Sequence, residues 1–386
     1  GFNALYIYDM IDLEVKETLL SFDDRDVVNT VSDPYTGNIV GAYYHDNGNK
    51  YVYFDKDFKK FHAMVDKALP GTNEWLTSRT RDGKRYLVYS SSDIDSGSYY
   101  YFDTETKQMA FLQARYPMLD PQLMSPMQEI TYKARDGMEI QGYLTIPVGK
   151  EVKNLPTVIL PHGGPTARDY WGFDWLVQFL ASRGYAVLQP NFRGSAGFGK
   201  DFENAGKREW GLKMQDDITD GALWLVEEGI TDPERMCIFG WSYGGYAALA
   251  ATFTTPDLFQ CAVSVNGISD LYRLVTEESN FLGLSEWGEE IGDPQSPSDK
   301  ARMKATSAIE NIDKIRMPVL LLANNDDTVV NYLQSKRFHD KMQKAGKYSE
   351  YIEMKEGNHS AGNEPSRLTI LSNLERFLAR YIGKGN

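Results

Sequence analysis

Residues 236–251 read Met-Cys-Ile-Phe-Gly-Trp-Ser-Tyr-Gly-Gly-Tyr-Ala-Ala-Leu-Ala-Ala. The apolar run that ends at Phe239 predicts a buried strand, and the small residues from Tyr246 onward predict a helix. Between them, residues 240–244 match Gly-x-Ser-x-Gly, the sharp turn that exposes a nucleophilic serine at the end of a strand. This strand, turn and helix context indicates that Ser242 is a catalytic nucleophile.

Five further apolar runs surround this motif and alternate with helical patterns. All six runs are Thr157–Leu160, Tyr185–Gln189, Met236–Phe239, Cys261–Val265, Pro318–Ala323 and Tyr351–Met354. Strands that are apolar on both faces and separated by helices imply a mostly parallel sheet covered on both sides. We therefore predict an α/β-hydrolase domain with a doubly wound sheet over residues 126–386, following a boundary that is rich in proline.

Residues 1–125 have a different pattern, with many tyrosines and alternating apolar and polar positions. Aromatic residues precede Asp9, Asp55 and Asp103, which are 46 and 48 positions apart. A repeat of this length with several strands per unit is typical of β-propeller blades, and a meandering sandwich is the alternative. We predict a partial all-β propeller of two to three blades, and no helix is convincing in this half.

Composition excludes several kinds of partner. The 386 residues include 41 basic and 54 acidic side chains, a net charge of −13 that disfavours binding to nucleic acid or to an anionic membrane. No apolar stretch approaches the roughly 18 residues of a membrane-spanning helix. We expect a soluble protein, and the compartment stays open between cytoplasm and periplasm. Because Gly1 opens directly into a strand pattern, we also expect the sequence to start inside a longer polypeptide.

Cysteine and histidine patterns give no metal site. Cys237 and Cys261 lie in apolar runs, so we interpret both as core residues. The sequence has no His-Glu-x-x-His motif and no cysteines paired at zinc spacing. We predict neither a metal nor another cofactor.

A catalytic serine needs an imidazole to take its proton and a carboxylate to orient that imidazole. In α/β-hydrolases the acid and then the histidine follow the serine in the chain. His339 lies in a charged helical stretch, whereas His359 lies in a glycine-flanked loop after a strand, so His359 is the predicted base. Asp326 and Asp327 both follow the preceding strand, and spacing alone does not separate them.

Two other segments are candidates for the site. The loop His162-Gly-Gly-Pro165 follows a strand and resembles the loop that completes an oxyanion hole, together with the amide of Tyr243 after the nucleophile. His162 precedes the nucleophile, so we expect a structural role for it. Within an acidic stretch that is otherwise a solvated face, Phe281, Leu284 and Trp287 could line a substrate pocket.

Together these motifs resemble the prolyl oligopeptidase family of serine peptidases, and its acylaminoacyl-peptidase and dipeptidyl-aminopeptidase-like branch most closely. The matching stretches are His162–Pro165, Asn191–Ser195, Gly197–Gly199, Gly240–Gly245, Asp327–Val330 and Gln334–Ser335. The resemblance implies that Asp327 is the catalytic acid and that Gly164 and Tyr243 supply the oxyanion-hole amides. Ala323-Asn324 and Asn331 depart from the family pattern, which puts the geometry of the acid loop in question.

The resemblance implies a serine-type peptidase that hydrolyses short peptides through an acyl-enzyme on Ser242, because the family's propeller covers the active site and excludes folded proteins. Oligopeptidase and acylaminoacyl or dipeptidyl aminopeptidase types all stay open. An esterase or lipase with the same triad is the alternative, followed by an inactive binding protein. Since two to three blades leave open strand edges, we also expect a homo-oligomer or association with a missing propeller fragment.

Overall fold

The computed structural model describes residues 1–277 and 288–385, which form two compact units. The first unit comprises Gly1–Gln128, Tyr170–Gln178 and Gly197–Asp201. The second unit comprises Glu129–Asp169, Phe179–Ala196 and the described residues from Phe202 onward.

The first unit contains three antiparallel sheets of increasing size. The strands are β1 (Leu5–Asp9) and β2 (Glu14–Leu20); β3 (Asn29–Ser32), β4 (Ile39–His45) and β5 (Asn49–Tyr53); and β6 (Asn73–Arg79), β7 (Arg85–Ser91), β8 (Ser98–Asp103) and β9 (Gln108–Ala114). Each sheet pairs strands that are consecutive in the chain, which is the arrangement within a propeller blade.

The sequence repeat has a structural cause at its three aspartates. Asp9 and Asp103 each accept hydrogen bonds from the backbone N–H groups two and three positions ahead, and so does Asp55. Aspartate is favoured at such positions because its short side chain closes the turn on its own backbone. Asp55 follows β5 and Asp103 ends β8, and each is the third strand of its sheet, so the repeat marks equivalent points in two blades.

One prediction for this half is wrong, because the chain after Asp55 forms a helix, α1 (Lys56–Ala68). At Asp9 and Asp103 the carboxylate closes a turn, whereas the Asp55 carboxylate caps the N-terminus of α1. Phe58, Phe61 and Val65 are buried at positions i, i+3 and i+7, and the last two pack with side chains of the four-stranded sheet. This helical spacing was present in the sequence but was missed, because the segments on either side have strand patterns.

The second unit is built on one eight-stranded sheet. Its strands are β10 (Met127–Lys133), β11 (Glu139–Thr145), β12 (Leu155–Ile159), β13 (Ala186–Pro190), β14 (Thr231–Trp241), β15 (Cys261–Val265), β16 (Val319–Asn324) and β17 (Ser349–Met354). Their order is β10-β11-β13-β12-β14-β15-β16-β17, and every pairing from β13 to β17 is parallel. Strands β12, β13, β15 and β16 are buried along their whole length, as their apolar runs predict.

Helices alternate with these strands along the chain. They are α2 (Trp175–Ser182), α3 (Lys200–Asn204), α4 (Lys213–Glu227), α5 (Tyr243–Thr254), α6 (Leu271–Glu277), α7 (Pro297–Ala305), α8 (Leu333–Lys344) and α9 (Glu364–Tyr381). Helix α5 is buried from Tyr243 to Phe253 because its glycines and alanines let it lie close to β14 and β15. Of the helices in the described ranges, none has the length and apolar character needed to cross a membrane.

The interpretation of the two cysteines as core residues is incomplete, because they also form a disulfide. Cys237 and Cys261 are buried, as expected, but they lie opposite each other on β14 and β15 and form a disulfide. Their Cα atoms are 4.8 Å apart, which is within the range for a disulfide. The bond depends on which strands are neighbours and on their register, and neither is written in the local sequence.

Candidate active site

Ser242 sits at a strained turn between β14 and α5. Its φ of 57° and ψ of −119° are rarely adopted by a residue with a side chain, and such strain costs about 1–3 kcal/mol. The turn is held on both sides, because the Ser242 N–H donates to Val265 O at 3.0 Å and Ser242 O accepts from the Tyr246 N–H at 3.0 Å. A strained serine fixed in this way is the arrangement expected of a nucleophile.

Close backbone contacts explain the two glycines of the motif. A Cβ atom on Gly240 would lie 2.1 Å from the carbonyl carbon of Gly244, and one on Gly244 would lie 2.1 Å from Pro161 O. Neither position can accept a side chain without displacing backbone. A Cβ atom on Gly163 would lie 3.4 Å from Ser242 Cβ, so the glycine loop passes directly beside the nucleophile.

His359 and Asp327 form a partly buried hydrogen-bonded pair. His359 Nδ1 lies 2.6 Å from Asp327 Oδ2, and the Asp327 side chain has no exposed surface. The other carboxylate oxygen, Oδ1, accepts the N–H groups of Val329 at 2.8 Å and Val330 at 2.9 Å. With Nδ1–H donated to Asp327, Nε2 carries the lone pair that a general base requires. Asp326, the other candidate acid, is exposed.

Two side chains fix the His359 backbone next to the nucleophile. Trp241 Nε1–H and Asn266 Nδ2–H donate to His359 O at 2.7 and 2.9 Å. Trp241 precedes Ser242, and Asn266 follows Val265, the acceptor of the Ser242 N–H. The histidine loop is therefore anchored to both strands that hold the serine turn.

Asn324, where the sequence departs from the family pattern, belongs to the same network. Its backbone N–H donates to Asn266 Oδ1 at 2.8 Å, and its Nδ2 donates to Asn358 O at 2.9 Å. This buried residue ends β16 immediately before the acid loop, and it supports the histidine loop through Asn358. Sequence analysis missed the roles of Trp241, Asn266 and Asn324. A polar residue at the carboxyl end of an apolar strand was the available signal for Asn324.

The two predicted donors of the oxyanion hole are Tyr243 and Gly164. Tyr243 is the first residue of α5, and the first N–H groups of a helix have no acceptor within the helix. In the glycine loop, the close contact with Ser242 is made at Gly163, where an added Cβ atom would lie 3.4 Å from Ser242 Cβ. Gly163 adjoins Gly164, the predicted donor. Gly164 has a φ of 125°, which favours glycine, and its contribution of an amide stays a prediction.

His162 shapes this loop as a neutral side chain. Its Nδ1 lies 2.8 Å from Gly163 O, and its Nε2 lies 2.8 Å from the Ser195 hydroxyl oxygen, whose proton is donated to Phe192 O at 2.6 Å. The ring stacks on Phe192 with 4.3 Å between centroids. Burial lowers the pKa of His162 to about 4, so the ring is uncharged at neutral pH. These contacts are consistent with the structural role expected for it.

The predicted pocket residues Phe281, Leu284 and Trp287 lie outside the described residues. Within residues 1–277 and 288–385, the group of side chains suited to a metal ion lies in the first unit rather than at the serine turn.

Comparison with known proteins assigns the family. The sequence profile of the prolyl oligopeptidase family matches residues 171–385, more than half of the chain. The chain belongs to the prolyl oligopeptidase family. Dipeptidyl aminopeptidase BIII of Pseudoxanthomonas mexicana is a relative that is 32% identical over 99% of this chain and 57% of its own length. Dipeptidyl peptidase family member 6 of Caenorhabditis elegans is 28% identical over 98% of this chain and 54% of its own length.

Solved structures of family members share the fold. The puromycin-hydrolyzing peptidase of Mycobacterium tuberculosis matches with a TM-score of 0.81 and 23% identity, over 95% of this chain and 57% of that chain. An acylaminoacyl peptidase of Pyrococcus horikoshii matches with a TM-score of 0.75 and 24% identity, over 98% and 59% of the two chains. These matches confirm a partial propeller followed by an α/β-hydrolase domain. The chain spans a little over half the length of these relatives.

Proposed function

We propose that this chain carries the catalytic centre of a serine-type peptidase that cleaves short peptides, with Ser242, His359 and Asp327 as its triad. The observation that carries the proposal is the hydrogen-bonded Asp327–His359 pair. Trp241 and Asn266 tie the histidine loop to the strands that hold the Ser242 turn. A serine hydroxyl is weakly nucleophilic at neutral pH, and a positioned imidazole removes that limitation.

The reaction proceeds in two steps. His359 Nε2 takes the Ser242 hydroxyl proton while Oγ attacks the peptide carbonyl carbon, and the same nitrogen then protonates the leaving amine as the C–N bond breaks. Water attacks the resulting ester in the second step, with His359 again accepting and returning the proton. Asp327 stabilises the imidazolium through its hydrogen bond to Nδ1 and stays ionised.

The amide of Tyr243 and an amide of the glycine loop, assigned by resemblance to Gly164, would stabilise the oxyanion. Fixed N–H donors aimed at the developing charge are worth about 2.7–4 kcal/mol each in serine hydrolases. The strain at Ser242 and the close approach of Gly163 support this arrangement, because they hold the nucleophile and the loop at a fixed separation.

The names of the relatives support short peptides as substrates. Matched proteins include a dipeptidyl aminopeptidase and an acylamino-acid-releasing enzyme, and the latter, from Oryza sativa, is 22% identical over 68% of this chain and 35% of its own length. We propose an oligopeptidase or an acylaminoacyl or dipeptidyl aminopeptidase, with Phe281, Leu284 and Trp287 as candidate pocket residues.

We also propose that the first β-hairpin of the chain is covered by another protein segment. Strands β1 and β2 pair only with each other among the described strands, and Tyr6, Ile7, Tyr8 and Val15 are 44–52% exposed on them. The segment is either further propeller strands or a second copy of this chain. For the isolated chain, a solution mass of 43.8 kDa would contradict covering by a second copy, and normal stability of that monomer would contradict a need for further propeller strands.

Cleavage of amide and ester substrates tests the function. We expect the chain to hydrolyse a dipeptidyl or N-acylaminoacyl p-nitroanilide, because amide cleavage requires the leaving amine to be protonated by the positioned His359. The matched substrate is the p-nitrophenyl ester with the same acyl group. Hydrolysis of the ester without measurable hydrolysis of any anilide would contradict the peptidase assignment and favour an esterase.

A further inference from the structure

A cluster of three metal-binding side chains lies in the first unit. His62 and Asp66 are one turn apart on α1, and Glu74 lies on β6. His62 Nε2 is 3.3 Å from Asp66 Oδ1 and 3.9 Å from Glu74 Oε2, and one ligand atom from each residue lies within 4.8 Å of the others. His62 and Glu74 are 7% and 5% exposed, whereas Asp66 is exposed.

Neighbouring hydroxyl groups fix the orientation of the two buried side chains. The Tyr53 hydroxyl lies 3.0 Å from His62 Nδ1, which directs Nε2 toward the carboxylates. The Thr72 hydroxyl donates to Glu74 Oε1 at 2.5 Å, which directs Oε2 toward His62. The Ser90 hydroxyl in turn donates to Thr72 Oγ1 at 2.7 Å. Hydrogen bonds of this kind orient the ligands of protein metal sites.

The distances suit a tetrahedral ion. Zn²⁺ binds histidine nitrogen and carboxylate oxygen at about 2.0–2.2 Å, so adjacent tetrahedral ligand atoms lie roughly 3.4 Å apart. The separations of 3.3 and 3.9 Å around His62 Nε2 are close to this value. A mixed set of imidazole and carboxylate ligands also favours Zn²⁺ over Mg²⁺ or Ca²⁺, which prefer oxygen alone.

A cavity gives an ion access to the cluster. It has a volume of about 800 Å³ and is lined by the three side chains together with Lys50, Tyr51 and Trp171, among others. A site with three protein ligands that borders such a cavity leaves the fourth position to water or another small ligand.

We propose that His62, Asp66 and Glu74 bind one Zn²⁺ ion. The site does not depend on the proposed peptidase activity, because its ligands lie in the other unit of the chain. The prediction of no metal rested on sequence motifs that this site does not contain, since its ligands come from a helix and a strand at spacings of four and eight residues. A His62–Asp66 ion pair is the simpler interpretation, but it gives no role to the buried Glu74 carboxylate 3.9 Å from His62 Nε2.

Titration calorimetry with Zn²⁺ on the full chain, after removal of metal with EDTA, tests the proposal. We expect one equivalent of Zn²⁺ to bind, because the three side chains form one site. The Thr72→Val substitution removes the hydroxyl that orients Glu74, and it is expected to weaken Zn²⁺ binding about 10–100-fold. Asp66→Asn and Glu74→Gln, which remove direct ligands, are expected to weaken binding at least as much. Asp66 is exposed, so its variant is expected to keep the fold.

Two matched controls separate this site from weak surface binding. Asp57→Asn removes an exposed carboxylate from the same helix, and His339→Asn removes a histidine from the other unit, so neither is expected to change the affinity. Failure of the wild-type chain to bind Zn²⁺ would overturn the proposal. Equal affinity in the wild type, Asp66→Asn and Glu74→Gln would overturn it as well, because binding would then occur elsewhere.

Discussion

Replacement of Asp327 by asparagine is expected to lower kcat for an anilide substrate about 10⁴-fold, with little effect on folding. The carboxylate accepts the Nδ1 proton of His359 and thereby holds the lone pair on Nε2. An asparagine amide group at this position can donate to Nδ1, which places the ring proton on Nε2. That tautomer cannot take the proton of Ser242.

Asp326→Asn is the matched control, because the adjacent carboxylate is exposed and the sequence alone did not distinguish the two residues. We expect its kcat to stay within about twofold of the wild type, the size of a typical surface substitution. Steady-state kinetics on both variants provides the measurement. A large loss in Asp326→Asn together with an active Asp327→Asn would show that the acid is assigned to the wrong residue.

Replacement of Arg193 by methionine is expected to lower the free energy of unfolding by about 3–5 kcal/mol. Arg193 and Asp217 are 2% and 0% exposed, and the guanidinium donates to both Asp217 oxygens at 2.6 and 2.8 Å. The Arg193 backbone N–H also donates to Asp217 at 2.9 Å. Removing the guanidinium leaves a buried carboxylate with one of its three donors, and urea unfolding measures the cost.

Asp136→Asn is the control for that loss. Arg193 donates to Asp136 as well, at 2.8 and 2.9 Å, but the Asp136 side chain is 37% exposed and water can replace part of the interaction. We expect a loss of about 1 kcal/mol or less. Equal losses in the two variants would mean that burial of Asp217 does not determine the stability of this network.

Features written in short stretches of sequence were predictable. The six apolar runs lie in strands of one sheet, and the Gly-x-Ser-x-Gly turn requires its glycines for the backbone contacts found at Gly240 and Gly244. The repeat of Asp9, Asp55 and Asp103 reflects the same local hydrogen bonds from each carboxylate to the backbone just ahead of it. The apolar runs, the Gly240 contact and the aspartate hydrogen bonds depend on neighbours within a few residues, whereas the Gly244 contact is with Pro161 O.

Features that depend on distant partners were not predictable. The His359 carbonyl is held by Trp241 and Asn266, which are 118 and 93 positions away in the chain. The disulfide joins Cys237 and Cys261 through the register of two parallel strands. In both cases the residue types are compatible with many other uses, and only the order of strands in the sheet brings them together.

Labelling with a fluorophosphonate probe, followed by mass spectrometry of the tagged peptide, tests most directly whether the Asp327–His359 pair activates Ser242. The probe reacts with serines that a neighbouring base has activated, so we predict one labelled residue, Ser242, and no labelling of Ser242→Ala. A folded chain that stays unlabelled, or one that is labelled at another serine, would contradict this assignment.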